Sequence, residues 1–158
     1  MQQRKAVRAL LVDESGAVLL MQVVEPVTRK AVWIAPGGGV DDGESALMTL
    51  RRELLEELGY SLAVEHEPVA VWTRHHEFTW AGTAIDQHET YFLIRCVQFV
   101  PERCVEGVPG AMFDCDHRWW TPDDIEHSAD TFAPRSLGTA LRTLIENRPP
   151  PSPIDVGV

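Results

Sequence analysis

Residues 38–60 read GGVDDGESALMTLRRELLEELGY, and their spacing decides how the rest of the chain is read. Over 45–58 the apolar residues recur with a helical period, and Gly59, a residue type favoured just past a helix C-terminus, ends the run. At about 100° per residue, Leu47, Leu50, Leu54 and Leu58 gather within an arc of roughly 80°, the stripe expected to face a core. Glu53, Glu56 and Glu57 occupy a second arc of about 100°, because positions three and four apart are neighbours on a helix surface.

A solvated acidic face is the ordinary reading of such glutamates. It meets an energetic objection here. Like charges at these spacings cost about 0.2–0.5 kcal/mol per pair, and an anion in the last helical turn opposes the macrodipole at about 0.3–1 kcal/mol. The cluster therefore carries very roughly 1–2.5 kcal/mol of avoidable cost. Arg52 can pair with Glu56 at i,i+4, but one pair does not offset it. A hard divalent cation such as Mg²⁺ would turn the liability into a site, since it prefers carboxylate oxygens and completes its shell with water and substrate phosphates. Gly37, Gly38 and Gly39 predict a loop whose backbone approaches an ion or phosphate without side-chain obstruction. Glu44, just before the helix, completes a loop-plus-helix unit.

Outward from this segment, 4–12 and 17–24 are β-rich runs joined by Asp13-Glu14-Ser15-Gly16, which predicts a hairpin. A loop over 25–31 precedes the short run 32–35. Downstream, 69–76, 78–81 and 90–100 read as strands, with a weaker candidate over 114–120. Thr121-Pro122 opens a short helix, with Thr at the cap and Pro at the first helical position. A final amphipathic helix over 134–147 places Leu137, Leu141, Leu144 and Ile145 on one side. The expectation is one α/β or α+β layered domain over 1–148. A polyproline-like tail over 149–158 should lie on the surface, with 154–156 able to dock on a neighbour.

The 158 residues carry a net charge of −10, which disfavours nucleic acid as a partner, since that binding rests on neutralising phosphates with Lys and Arg. No stretch reaches membrane-span or signal-peptide length, so a cytoplasmic location is the default expectation. Cys96, Cys104 and Cys115 lack C-x-x-C spacing and predict reduced thiols. His75, His76 and His88 lack H-x-x-x-H spacing and read as polar strand residues or substrate contacts rather than transition-metal ligands. Trp33, Trp72, Trp80, Trp119 and Trp120 read as core or rim packing. Arg29, Lys30 and Arg74 are candidates to meet substrate phosphates in an otherwise acidic chain.

The segment 38–60 resembles the Nudix box, G-x5-E-x7-R-E-U-x-E-E-x-G-U with U a bulky aliphatic residue. Gly38, Glu44, Arg52, Glu53, Leu54, Glu56, Glu57 and Gly59 stand at the required spacings, and Tyr60 in the last aliphatic slot is the sole departure. The resemblance implies an αβα sandwich around a mixed, curved sheet. It implies Mg²⁺, or Mn²⁺ in its place, held by Glu53, Glu56 and Glu57 with the Gly37 carbonyl. Arg52 would orient a glutamate, Glu44 would steady the loop or move a proton, and Glu53 is the expected base, with Glu89 as a further ligand or alternative base. The implied reaction is attack of water on phosphorus in a nucleoside diphosphate linked to another group, a small-molecule substrate, by a monomer or homodimer. The rival reading from another class is a catalytically silent module of the same fold that only binds nucleotides. A phosphate-binding loop of the nucleotide-triphosphatase kind is disfavoured, because Gly37-Gly38-Gly39 is followed by Val40-Asp41-Asp42 with no Lys-Ser or Lys-Thr.

Overall fold

The computed structural model describes residues 1–63, 67–102 and 116–158. Cys104, Cys115 and the start of the strand expected over 114–120 lie outside these residues. The sheet is organised around β1 (Gln2–Val12), which runs parallel to β6 (Thr83–Arg95) from Gln2 opposite Ile85 to Val12 opposite Arg95. β6 pairs antiparallel with β5 (Val69–Trp80), so the sheet is mixed. Where two strands were expected over 69–76 and 78–81, a single strand continues, with a register shift between Ala70 and Trp72. β6 also begins earlier than expected and stops at Arg95 rather than at 100.

Asp13 makes the predicted turn: its Oδ1 accepts the N–H groups of Ser15 at 2.8 Å and Ala17 at 2.9 Å, while Gly16 takes φ +84°. The strands it joins part at once. β2 (Val18–Val24) meets β1 at Val12 opposite Val18, and the rest of β2 pairs with β3 (Ala31–Ile34) and β7 (His117–Trp120). The vacated edge of β1 is taken by Gly37–Gly39, which forms a short strand, β4, rather than the expected loop. The spatial order is β3-β2-β1-β6-β5-β8, with β8 (Ile154–Asp155) on the outer edge of β5.

Alternation along β1 feeds two cores, as the period of two in a strand requires. Val7, Ala9 and Leu11 pack with Leu50, Leu54 and Leu58 of α1 (Ala46–Leu58) on one face. Leu10 and Val12 pack on the other with Ile125 of α2 (Pro122–His127) and Leu137, Leu141 and Leu144 of α3 (Leu137–Glu146). The result is the expected αβα sandwich. Ser45 Oγ accepts from Met48 N at 3.1 Å to cap α1, and Gly59 ends it at φ +66°. Leu47 is only half-buried; Thr49 takes its place beneath the helix, because its hydroxyl bonds both Glu44 and the Ser45 carbonyl. Trp33, Trp72 and Trp120 are core residues, with Trp33 and Trp120 edge to face at 5.2 Å. Among the described residues no helix is long and apolar enough to cross a membrane.

The end of the chain is tied to this chain's own sheet. β8 lies parallel to β5, with Ile154 opposite Trp72, and Val156 N donates to Thr73 O at 3.0 Å. Ser136 Oγ and Arg135 N donate to the carbonyls of Val156 and Val158, and the Val156 side chain packs against the core. Deleting residues 152–158 should cost about 2 kcal/mol, lowering the melting temperature by roughly 4–8 °C. A tail that merely lies on the surface would leave thermal unfolding unchanged.

Candidate active site

The pairing of β4 with β1 sets Gly37 opposite Arg8, Gly38 opposite Val7 and Gly39 opposite Ala6. Space is tight there, and at Gly37, which meets backbone, it requires glycine. A Cβ on Gly37 would lie 2.0 Å from the Val7 carbonyl oxygen, one on Gly38 2.3 Å from a Glu53 oxygen, and one on Gly39 2.7 Å from Arg4 Nε. The backbone therefore approaches the carboxylates of α1 directly, and Gly37 N donates to Glu57 Oε1 at 3.2 Å.

Arg52 is the hub on the outer side of the helix. Its Nε and Nη2 donate to the two oxygens of Glu44, both at 2.9 Å, a bidentate pair. Nη1 reaches Glu53 at 2.9 Å and Glu56 at 3.5 Å, and Nη2 also reaches the Gly39 carbonyl at 3.3 Å. Arg52 thus offsets more of the helix's negative charge than the single i,i+4 pair read from spacing. The Arg52 fork, with the Asp41 N–H and the Thr49 hydroxyl, holds Glu44 well below the usual carboxylate range, at about 2.

The repulsion that survives is between Glu53 and Glu57. Glu57 is half-buried, and burial first, then the charge of Glu53 and a hydrogen bond between the two carboxyls, push its pKa well above the ordinary 4.5. Arg8 and the Gly37 N–H pull the other way without restoring it. Two carboxyl groups in contact, one of them reluctant to ionise, form a donor set that suits a hard divalent cation.

Across the sheet a second carboxylate is in the opposite condition. Glu89, on β6, is buried at 3% exposure. Its Oε1 accepts from Arg8 Nε at 3.1 Å and Gln87 Nε2 at 2.7 Å, and its Oε2 accepts from Arg74 Nη1 at 3.1 Å and the Tyr91 hydroxyl at 2.8 Å. Burial alone would raise its pKa, but Arg8, His76 and Arg74 outweigh burial and hold it far below the usual range. Burial likewise disfavours charge on Arg8, and Glu89 more than restores it. Arg8 also donates to the Ala35 carbonyl at 3.3 Å, so this network abuts the glycine strand.

The structure thus brings together Glu44, Arg52, Glu53, Glu56, Glu57 and Gly37. Glu89 lies across β1 with four donors already on its oxygens, and Arg74 is buried at 8% exposure against it rather than open to solvent. Arg29, at φ +62°, and Lys30 are exposed in the turn between β2 and β3, which Glu25 ties to the tip of the β5–β6 hairpin through Ala81 N at 2.8 Å. Arg4 and Arg8 also belong to the site, although neither stands in a motif. Arg4, Lys5, Arg52 and Glu53 line a recess of about 420 Å³ beside the glutamates. Arg8 could have been noticed as a lone charge inside the apolar run Ala6–Val12, a placement that demands a buried partner.

A carboxyl whose pKa is raised by folding holds its proton longer in the folded than in the unfolded chain. That stabilisation is complete below 4.5 and is lost as pH rises through the folded value. In metal-free buffer the protein should therefore lose stability as pH climbs above about 4.5, and Glu57→Gln should flatten that decline in a melting-temperature series. An unchanged slope in the variant would remove Glu57 as its source.

Comparison with known proteins agrees with this geometry. Nucleoside triphosphatase NudI of Escherichia coli (strain SE11) is 27% identical over 127 residues, covering 80% of this chain and 88% of its own. The protein of the same name from Shigella flexneri matches to the same extent. Among solved structures, the MutT protein from Methanosarcina mazei Go1 superposes with a TM-score of 0.62 at 20% identity, covering 92% of this chain and 97% of that one. The MutT NUDIX hydrolase from Burkholderia pseudomallei gives 0.61 at 20%, covering 91% and 99%. At such identities these two speak to the fold. Residues 2–140, which contain the glycine strand, the glutamate helix and the sheet that carries them, match the NUDIX domain, and the chain belongs to the Nudix family of pyrophosphohydrolases.

Proposed function

We propose that the chain hydrolyses a phosphoanhydride bond in a nucleoside diphosphate linked to another group, with a divalent cation, Mg²⁺ or Mn²⁺, held by the box glutamates. The observation that carries this reading is the contact between Glu53 and Glu57, which leaves Glu57 with a raised pKa beside the Gly37 N–H. The nucleoside triphosphatase name of the NudI relatives supports a nucleotide as the substrate.

Glu53, Glu56 and Glu57, with the Gly37 carbonyl, are the proposed ligands. Bound there, a divalent cation supplies charge neutralisation on the phosphate oxygens and a more acidic water. The chain's own residues do the rest. Arg52 fixes Glu53 at 2.9 Å while anchoring itself on Glu44, so the carboxylate is aimed before substrate arrives. Glu53 is the proposed base that takes the proton of the attacking water. Arg4 and Lys5, on the wall of the recess that Glu53 also lines, are the cations proposed to meet a phosphate tail. Glu89, saturated by Arg8, Arg74, Gln87 and Tyr91, is proposed to hold β1, β6 and β5 in register beneath the site; serving as a ligand would require it to release one of those donors.

The test is a panel of nucleoside triphosphates, oxidised nucleotides, ADP-ribose, nucleotide sugars and dinucleoside polyphosphates, assayed with Mg²⁺ and with Mn²⁺ for released phosphate or pyrophosphate. At least one class should turn over, and Glu53→Gln should lower kcat by about 10²–10⁴-fold. Inactivity across the panel would favour a module that only binds nucleotides. In addition, Mg²⁺ at about a hundred times its Kd should raise the melting temperature by roughly 5–10 °C. The rise should be larger at pH 8 than at pH 5, since at the lower pH the cation competes with the proton that Glu57 retains. An equal rise at both values would mean that the ion binds elsewhere.

A further inference from the structure

β5 and β6 carry a second set of ligand-type side chains, on the sheet face opposite the Glu89 network. Asp86 and His88 are two apart on β6 and so project to the same side, and His75 stands directly across from His88 in the antiparallel register. The imidazoles stack with centroids 4.1 Å apart and planes within 5°. Asp86 Oδ1 lies 2.5 Å from His75 Nε2 and 4.0 Å from His88 Nε2. One donor atom from each of the three residues falls within 4.8 Å of the others, and among the described residues this is the group of three that converges in this way.

We propose that His75, Asp86 and His88 form a divalent transition-metal site, separate from the glutamate cluster, that takes Zn²⁺ or a similar ion. Ligand atoms about 2.0–2.1 Å from a tetrahedral zinc stand roughly 3.3 Å from one another. To reach that spacing the 4.0 Å between Asp86 and His88 shortens and the 2.5 Å between Asp86 and His75 lengthens, each by less than about 1 Å, and the two exposed imidazoles tilt out of their parallel stack so that both nitrogens face one ion. Two imidazole nitrogens and a carboxylate select Zn²⁺, Cu²⁺ or Ni²⁺ over Mg²⁺, which prefers all-oxygen shells. His75 and His88 are more than half exposed, so an ion enters directly from solvent, and three protein ligands leave a fourth position for water or an anion. Glu77, across from Asp86, adds negative charge on the same face, whereas Lys5, beside His88 on β1, opposes it. Because the same two strands carry Arg74, His76, Gln87 and Glu89 on their other face, an ion here clamps the pair of strands on which that network rests.

His75 and His88 are brought together by strand pairing across a hairpin, which no i,i+4 pattern registers.

The test uses chelator-stripped full-length protein held in saturating Mg²⁺ to mask the box, titrated with Zn²⁺ by calorimetry and with Co²⁺ by visible absorption. One Zn²⁺ per chain is expected, with Co²⁺ bands of a four-coordinate nitrogen-containing site. Affinity should fall by about tenfold or more in His75→Gln, in His88→Gln and in Asp86→Asn. It should be unchanged in Glu57→Gln. Absence of binding at about 100 μM Zn²⁺, or binding that survives the His75→Gln/His88→Gln double variant, overturns the proposal. So does loss of binding in Glu57→Gln alone. Circular dichroism shows whether each variant is folded, and the Mg²⁺-dependent rise in melting temperature shows whether the His75, Asp86 and His88 variants keep the box intact, so failure here leaves the reading of the box untouched.

Discussion

The antiparallel pairing of three glycines with Ala6–Arg8 is the constraint on which the site depends. It is possible because β2 leaves the edge of β1 after one residue pair; at Gly37 it tolerates no side chain, since a Cβ would collide with the β1 backbone, and at Gly38 and Gly39 a Cβ would displace the ends of Glu53 and Arg4. Through it the N–H of Gly37 meets Glu57, the carbonyl of Gly39 meets Arg52, and the Ala35 carbonyl meets Arg8. A loop at this position would leave the helix of glutamates attached to the sheet by its leucines alone. As a strand, the segment fixes the height and rotation of the carboxylates relative to β1.

Two acidic groups near this strand have been resolved in opposite ways. Glu89 has donors on both oxygens and stays ionised in a buried place, where hydrogen bonds to the charged form outweigh desolvation. Glu53 and Glu57 face each other with too few donors, and Glu57 resists ionisation. The first arrangement has a donor for each hydrogen bond its two oxygens make across β1, β5 and β6. The second leaves Glu57 short of donors beside a like-charged neighbour, the kind of perturbed group that clusters at functional sites.

Much of this was legible in the sequence because it is local. Helical period, the Ser45 and Gly59 ends of α1, and the clustering of Glu53, Glu56 and Glu57 follow from positions a few residues apart. Thr121 and Pro122 at the start of α2 are of the same kind. What escaped depends on strand register. The glycine run looks like a loop until β1 is seen to have a free edge, and Arg74 looks like a surface cation until Glu89 is placed beside it across the β5–β6 ladder. Arg8 and His88 gain their partners in the same manner, from segments 81 and 13 residues away in the chain. Leu47 was displaced from the core stripe by Thr49, whose hydroxyl is satisfied by Glu44 and the helix backbone and so can be buried without penalty.

The short strand at the end of the chain has a bearing on how the molecule behaves at high concentration. An open sheet has two outer strands, and an unpaired outer strand is a template for adding a strand from another copy. Here β8 lies along part of β5, while at the far side Trp33 N bonds Thr131 O and Ala133 N bonds Trp33 O, so that residues 131–133 run along β3. Both outer strands are thus partly shielded by this chain's own backbone. The proline-containing segment that leads to β8 is in effect a spacer that delivers a covering strand to β5, taking up backbone groups that another copy would otherwise find open.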